Sequence, residues 1–243
     1  MDNLGKNREI LERGLEKLGV CLEKNKLEQM LEYAEMLYSW NQQFNLTGFK
    51  TIEEILIDAI LDSLTVFSTP LFEENIEHLV DVGSGGGVPA IPIKIFYPQL
   101  YLTLVESNAK KSRFLEEVAK RLSLNRVQVV RERGEKIAHE SAFREKFDLS
   151  TARALGSLAI NLELTIPFLK VGGLALYYKG KEVKEEIEKS KRALSILSVE
   201  VEEIWEVEIP FRERKNFLVI VRKKESTPSS FPRRIGIPQK RPL

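Results

Sequence analysis

The stretch Val80-Asp81-Val82-Gly83-Ser84-Gly85-Gly86-Gly87-Val88-Pro89-Ala90 restricts the fold of this chain more than any other: an apolar run ends in an aspartate and breaks into four glycines within five residues. A short apolar run closed by glycines reads as a buried strand, and glycines supply the positive φ and close backbone approach that a side chain forbids. Helical spacing resumes near Pro89, so the unit is strand, glycine turn, helix. Such a unit aims backbone N–H groups at the carboxyl edge of a parallel sheet, where open α/β folds hold their ligands.

The rest of the chain agrees with that unit. After Pro70, strands are expected at 79–82, 101–106, 127–131, 147–151 and 174–178. Helices are expected from about Pro89, from Asn108, over 158–169 and through the charged run Lys181-Glu182-Val183-Lys184-Glu185-Glu186 and onward to Leu194. Strands alternating with helices imply a Rossmann-like, mostly parallel α/β sheet covered on both faces. Two later runs, 199–207 and 216–221, have no helix between them and predict an antiparallel pair at one edge. Ahead of the sheet, Leu27, Met30, Leu31, Ala34, Leu37 and Tyr38 form one helical stripe and Ile52, Ile55, Leu56, Ala59, Ile60 and Leu64 another, the second opened by the capping pair Thr51 and Glu54. The expected organisation is a helical extension over 1–70, a core over 71–224 and an extended basic tail over 225–243 lying on or near that core.

Composition narrows the class. The 243 residues are 43% hydrophobic and carry a formal charge of +1, so the chain can bury a large core, and only a local basic patch could recognise a polyanion. Cys21 is the single cysteine, which fits a reducing compartment, and His78 and His139 lack metal-ligand spacing. The start, Met1 to Ile10, has no apolar signal core, and the most apolar later region is broken by Asn161, Glu163 and Lys170. These features predict a soluble, cytoplasmic, monomeric protein with no metal and no membrane segment.

The glycine turn selects among cofactors. No Gly-Lys-Ser or Gly-Lys-Thr closes it, which excludes a phosphate-binding P-loop. A dinucleotide fingerprint wants glycine at the sixth position from Gly83, where Val88 stands, so an NAD-dependent oxidoreductase remains an alternative with one requirement unmet. Asp81 beside the turn would repel a pyrophosphate but suits an ammonium and a sulfonium, as in S-adenosylmethionine, whose carboxylate would use the loop amides of residues such as Gly83 and Gly85. Glu106, at the end of the next strand, has the position of a ribose clamp. The turn after the third strand, with Gly134 and Glu135, should border the adenine.

The chain resembles the bacterial small-subunit ribosomal RNA methyltransferase G family, also called glucose-inhibited division protein B. The resemblance rests on Asn45-Leu46-Thr47, Leu61-Asp62-Ser63-Leu64, the 81–89 loop, Lys110-Lys111 with Phe114-Leu115, Arg153-Ala154, Lys179-Gly180 and the terminal Phe231-Pro232-Arg233-Arg234 with Gly236. It implies a class I S-adenosylmethionine-dependent methyltransferase fold with an N-terminal helical extension, acting on a guanine N7 of 16S ribosomal RNA or the small ribosomal subunit. Carried onto matching positions, it places Gly83, Val88, Gly134, Glu135 and Arg153 at the cofactor. Ile60 stands where the family has a histidine, which removes that group from any RNA contact, and Ala90 stands where glycine is commoner.

The chemistry is consistent with that implication. Methylating an exocyclic amine calls for a proton acceptor, yet Ser150-Thr151-Ala152-Arg153-Ala154 replaces the Asn-Pro-Pro-Tyr or Asp-Pro-Pro-Tyr run of such enzymes. Guanine N7 offers a lone pair without a proton. Catalysis then reduces to alignment and desolvation, with Arg153 the one candidate side chain near the reaction, for cofactor or phosphate. RNA contacts are expected from Asn45, from Lys110, Lys111 and Arg113 on the helix after Glu106, from Lys179, and from Arg233 and Arg234, the last two within a basic C-terminal region that also includes Arg212, Arg214, Lys215, Arg222, Lys223, Lys224, Lys240 and Arg241. Phe231, Tyr177 or Tyr178 would stack on the flipped base. A non-catalytic RNA-binding assembly factor on the same fold is the remaining alternative.

Overall fold

A computed structural model describes residues 3–243. Seven strands form one sheet in the order β3-β2-β1-β4-β5-β7-β6. They are β1 (His78–Val82), β2 (Tyr101–Val105), β3 (Val127–Val130), β4 (Phe147–Thr151), β5 (Leu169–Lys179), β6 (Val199–Glu208) and β7 (Lys215–Lys223). The first five pair in parallel, and β7 lies antiparallel between β5 and β6. The order in which strands are added reverses between β1 and β4, and that switch point opens the crevice that holds ligands in such sheets.

Strand β5 begins five residues earlier than expected. Gly172 and Gly173 sit inside the strand, beside the register shift between Phe147 and Leu149 of β4. A Cβ on Gly173 would lie 3.0–3.1 Å from three carbonyl oxygens, which is why the position accepts glycine. Edge strand β6 carries Glu200, Glu202, Glu203, Glu206 and Glu208 and bulges between Val201 and Glu203, two devices that discourage pairing with another edge.

Helices α1 (Asn3–Leu18) and α2 (Lys24–Phe44) lead into α3 (Ile52–Glu54), a π-helical stretch over Ile55–Leu61 and α4 (Asp62–Leu64). Thr51 accepts from the Glu54 amide as the capping pair requires, and Glu54 reaches back to the amide of Lys50. These helices are not set apart from the sheet: Leu11, Met30, Leu37 and Ile60 share one apolar cluster with Leu79, Leu102, Leu149 and Ile220 of the strands. On the same face lie α5 (Ala90–Phe96) and α6 (Ala109–Arg121), the latter capped by the Asn108 side chain.

The opposite face is covered by α7 (Gly134–Ile137), α8 (Leu158–Thr165), α9 (Val183–Lys189) and α10 (Lys191–Ile196). The expected single helix through the charged run is thus two, meeting at Ser190, whose hydroxyl bonds back to the Glu186 carbonyl. The tail is not a loosely extended segment. Arg144 donates to the carbonyls of Thr227, Pro228 and Phe231, and the last helix, α11 (Ile237–Lys240), packs near α8. None of the described helices is long and apolar enough to cross a membrane.

Candidate cofactor cleft and its surroundings

A cleft of about 410 Å³ opens at the carboxyl ends of β1, β2 and β4, within the size range of small-molecule sites. Its walls come from five segments: residues 46–49 after α2, the glycine loop, 105–107, 132–135 and 153–155, with single residues Lys111, Leu164 and Gln239.

The glycines answer to different neighbours. A Cβ on Gly83 (φ +71°) would meet Leu155 at 2.4 Å, one on Gly87 (φ +86°) would meet Ile91 at 2.6 Å, and one on Gly86 would meet Thr47 at 2.8 Å. Only at Gly85 (φ +55°) is the nearest such atom as far as 3.8 Å, so Gly85 alone keeps its Cβ side open. Three of the four glycines therefore serve the protein's own packing, a correction to the expectation that the whole loop is bare for a ligand. The loop amides also differ from expectation. Gly83 and Ser84 donate to the Val105 carbonyl, Gly87 to the Ser84 carbonyl and Gly85 to Glu106, so these N–H groups are already used and do not await a carboxylate.

Glu106 is buried at the end of β2 and lines the cleft. Its Oε2 accepts from the Gly85 amide at 2.9 Å and its Oε1 from the Asn108 amide at 2.7 Å, leaving each oxygen a further lone pair. Asp81 does not line the cleft. Alternation along β1 sends Val82 to the cleft and Asp81 to the opposite face, under the N-terminal helices, where Oδ1 accepts from the Thr151 hydroxyl at 2.7 Å. Asp81 Oδ2 is buried with no partner among the described residues. Burial pushes its carboxyl up to about 7, against the Thr151 hydrogen bond and with help from the Glu106 charge. A direct place for Asp81 in the cleft wall is thus corrected to a buried acid beneath it.

Gly134 and Glu135 both reach the cleft. Glu135 Oε1 is committed to the Gly236 amide and to Arg133, both at 3.0 Å. Burial works to raise this carboxyl, but those bonds win and hold it below the ordinary range.

Arg153 lines the cleft, and its Nη2 is held by Asp62 at 2.7 Å and by the Asp58 carbonyl at 2.8 Å. Its guanidinium lies 5.8 Å from the Tyr178 ring centroid. Asp58, within the π-helical stretch, takes Arg212 and Arg214 on its carboxylate. Arg153 is therefore anchored by an ion pair, and a phosphate would have to compete for it.

The expected RNA contacts divide sharply. Lys110, Arg113 and Arg234 are exposed, Lys111 is half-buried in the cleft wall, and none has an ion pair among the described residues. Lys110 lies 5.0 Å from the Phe44 ring centroid. Lys179 is nearly buried and paired with Glu186 at 2.7 Å, and Arg233 forks onto the fully buried Glu163 at 2.6 and 2.8 Å; both are structural pins, not phosphate contacts. Arg212, Arg214, Lys215, Arg222, Lys223 and Lys224 also have carboxylate partners, so most of the C-terminal basic region is neutralised internally. Exposed Asn45 takes the left-handed conformation that closes α2 (φ 49°), a capping role that asparagine tolerates. Tyr177 is fully buried against Thr165 and is not available for stacking, Tyr178 is half-buried with its hydroxyl bonded to the Ser63 carbonyl, and Phe231 packs on the apolar cluster of the opposite sheet face.

Four contributors were not evident in the sequence. Asn41 holds the 45–49 loop through the Thr47 amide and the Phe49 carbonyl, and Phe49 brings an aromatic ring to the cleft. Tyr33 donates to the Gly86 carbonyl at 2.6 Å, tying α2 to the glycine loop, and Gln239 arrives from the tail. A polar residue inside the apolar spacing of α2 was the available signal for Asn41; nothing local marks the others.

A model of the family described as rRNA small subunit methyltransferase G matches residues 26–216. The chain belongs to that family. Membership makes it an S-adenosylmethionine-dependent methyltransferase and removes the oxidoreductase alternative. Among curated relatives, Ribosomal RNA small subunit methyltransferase G of Thermoanaerobacter sp. (strain X514) is 41% identical over 98% of this chain and 99% of its own length. The protein of the same name from Alkaliphilus metalliredigens is 38% identical over 96% and 98%. A solved Klebsiella pneumoniae structure, assigned to the O-methyltransferases, superposes at a TM-score of 0.54 with 10% identity, covering 79% of this chain and 90% of that one, and shows the shared fold alone. For this family the strand order found here, with its antiparallel β7, is the expected class I arrangement.

Proposed function

We propose that the protein methylates the N7 nitrogen of a guanine in 16S ribosomal RNA, with the cofactor held across Gly85, Glu106 and Gly134. The residues fit that cofactor on three counts. Gly85 leaves its Cβ side open, Glu106 retains acceptor capacity for ribose hydroxyls, and the Glu106 carboxyl, buried in the cleft wall, suits a ligand with cationic groups. S-adenosylmethionine supplies, when bound, a methyl group activated on a sulfonium.

The observation that carries the N7 assignment is the makeup of the cleft at the end of β4. That side presents Arg153, Ala154 and Leu155, while the lining carboxylates Glu106, Glu132 and Glu135 lie on the β2 and β3 sides. No side chain there is suited to take a proton, and Thr151 is committed to Asp81. An attacking nitrogen with a free lone pair and no proton needs none. The chain's contribution is then positional: Phe49 and Leu155 give the target base apolar surface, and Arg153, fixed by Asp62, excludes water and balances charge. Lys110, Lys111 and Arg113 supply phosphate contacts beside the cleft. A ribosomal RNA substrate supports a cytoplasmic site of action.

The test is incubation with labelled cofactor and 16S ribosomal RNA, free or in small subunits, followed by nucleoside analysis. The expected product is 7-methylguanosine. Label on an exocyclic amine or a ribose, or no label in any form of the substrate, contradicts the assignment.

A further inference from the structure

The tail is built into the cleft wall. Its helix α11 starts at Gly236, which has a positive φ of 78° and gives its amide to Glu135 Oε1 at 3.0 Å. Arg233, just ahead, grips buried Glu163 of α8 through its amide and its guanidinium and also reaches the Arg241 carbonyl, so both ends of the short helix are tied down. Three residues past Gly236, about 4.5 Å of helical rise, Gln239 faces the cleft, on the same wall as Leu164 and Glu135. This wall belongs to the 132–135 turn, on the adenine side of a cofactor whose ribose sits at Glu106.

From that placement we infer that Gln239 reads the adenine edge of the cofactor. The inference rests on the cofactor reading above and adds a residue from outside the sheet-end loops. Glu135, the acid at the expected adenine position, already spends Oε1 on Gly236 and Arg133. Gln239 has an exposed side chain with no hydrogen bond of its own among the described residues. A carboxamide offers one acceptor and two donors, which matches the 6-amino donor of adenine and its neighbouring ring acceptor in a bidentate pair. Glu135 acts here as a positioning residue: through Gly236 it sets where α11 begins and hence where Gln239 points.

The experiment is calorimetric titration of the full chain with S-adenosylhomocysteine and with its analogue lacking the 6-amino group. The wild type should favour the amino form by roughly tenfold, the scale of one bidentate base contact. Gln239→Ala should collapse that ratio towards one, weaken the desamino analogue less than the amino form because only the ring-acceptor contact is lost there, and leave the melting temperature unchanged, since the side chain is exposed. Gln239→Glu, which can only accept, should lose the ring-acceptor contact and fall between the two. An amino preference equal in wild type and Gln239→Ala would overturn the assignment while leaving the cofactor reading intact. Failure of the wild type to bind either ligand would overturn both.

Discussion

Asp81 is a buried acid beneath the site, bonded to Thr151. Its carboxyl, pushed up to about 7 by burial, takes up a proton in the folded state at pH values where the unfolded chain has lost it. The folded pKa lies above the ordinary 3.8, so the stability linked to this group is fully present below about pH 4 and declines as pH rises to 7. Asp81→Asn should remove that decline. Denaturant melts between about pH 4 and pH 8 should show the variant gaining on the wild type by something on the order of 4 kcal/mol across the window; parallel curves would refute it. At this scale the sequence was a fair guide to which residues matter and a poorer one to how. Glu106 was legible because a strand end and a residue count fix its position. Asp81 was legible as an acid at the loop, but the alternation that turns it away from the cleft depends on which face the N-terminal helices cover. The glycines announced a tight turn, yet only packing reveals that Leu155, Thr47 and Ile91 claim the space beside three of them.

At the scale of elements, the tail behaves as part of the core. Glu163 is fully buried, and among the described residues Arg233 is the one charged side chain paired with it. Arg233→Ala should therefore cost about 3–5 kcal/mol, the usual penalty for stranding a buried charge. Adding Glu163→Gln should recover part of that loss in the same denaturation experiment, and a single substitution without effect would contradict the pairing. Truncation at Phe231 then reports on folding before it reports on RNA. The tail's composition, rich in proline, serine and basic residues, resembles a solvated segment because its partners lie far off in sequence. Glu163 stands 70 residues from Arg233 and Arg144 stands 87 from Phe231. The strands were readable for the opposite reason: apolar runs and their turns are local signals. The π-helical stretch and α4, which place Asp58 and Asp62 against Arg153, showed in the sequence only as one helix.

For the whole molecule, a formal charge of +1 hides an uneven distribution. Most cations near the C-terminus are paired within the protein, while Lys110, Lys111 and Arg113 at the start of α6 have no ion pair among the described residues. Replacing Lys110 and Arg113 by alanine should reduce the slope of log affinity for 16S ribosomal RNA against log salt by about 1.4 to 1.8, the release expected for two phosphate contacts. Arg212→Ala, which leaves the Asp58 carboxylate with Arg214 as its remaining cation, should instead lower stability and leave the slope unchanged. The family model and the near full-length relatives agree with the site in assigning methyl transfer. The claim on which the rest depends is that the shelf formed by Gly85 and Glu106 takes S-adenosylmethionine. Calorimetric titration with S-adenosylhomocysteine and, separately, with NAD tests it most directly. The expected result is one-site binding of S-adenosylhomocysteine, weakened roughly ten- to hundredfold in Glu106→Ala, the scale of lost hydrogen bonds to a charged group, with no NAD binding. Equal affinity in wild type and Glu106→Ala, or binding of NAD in place of S-adenosylhomocysteine, would contradict it.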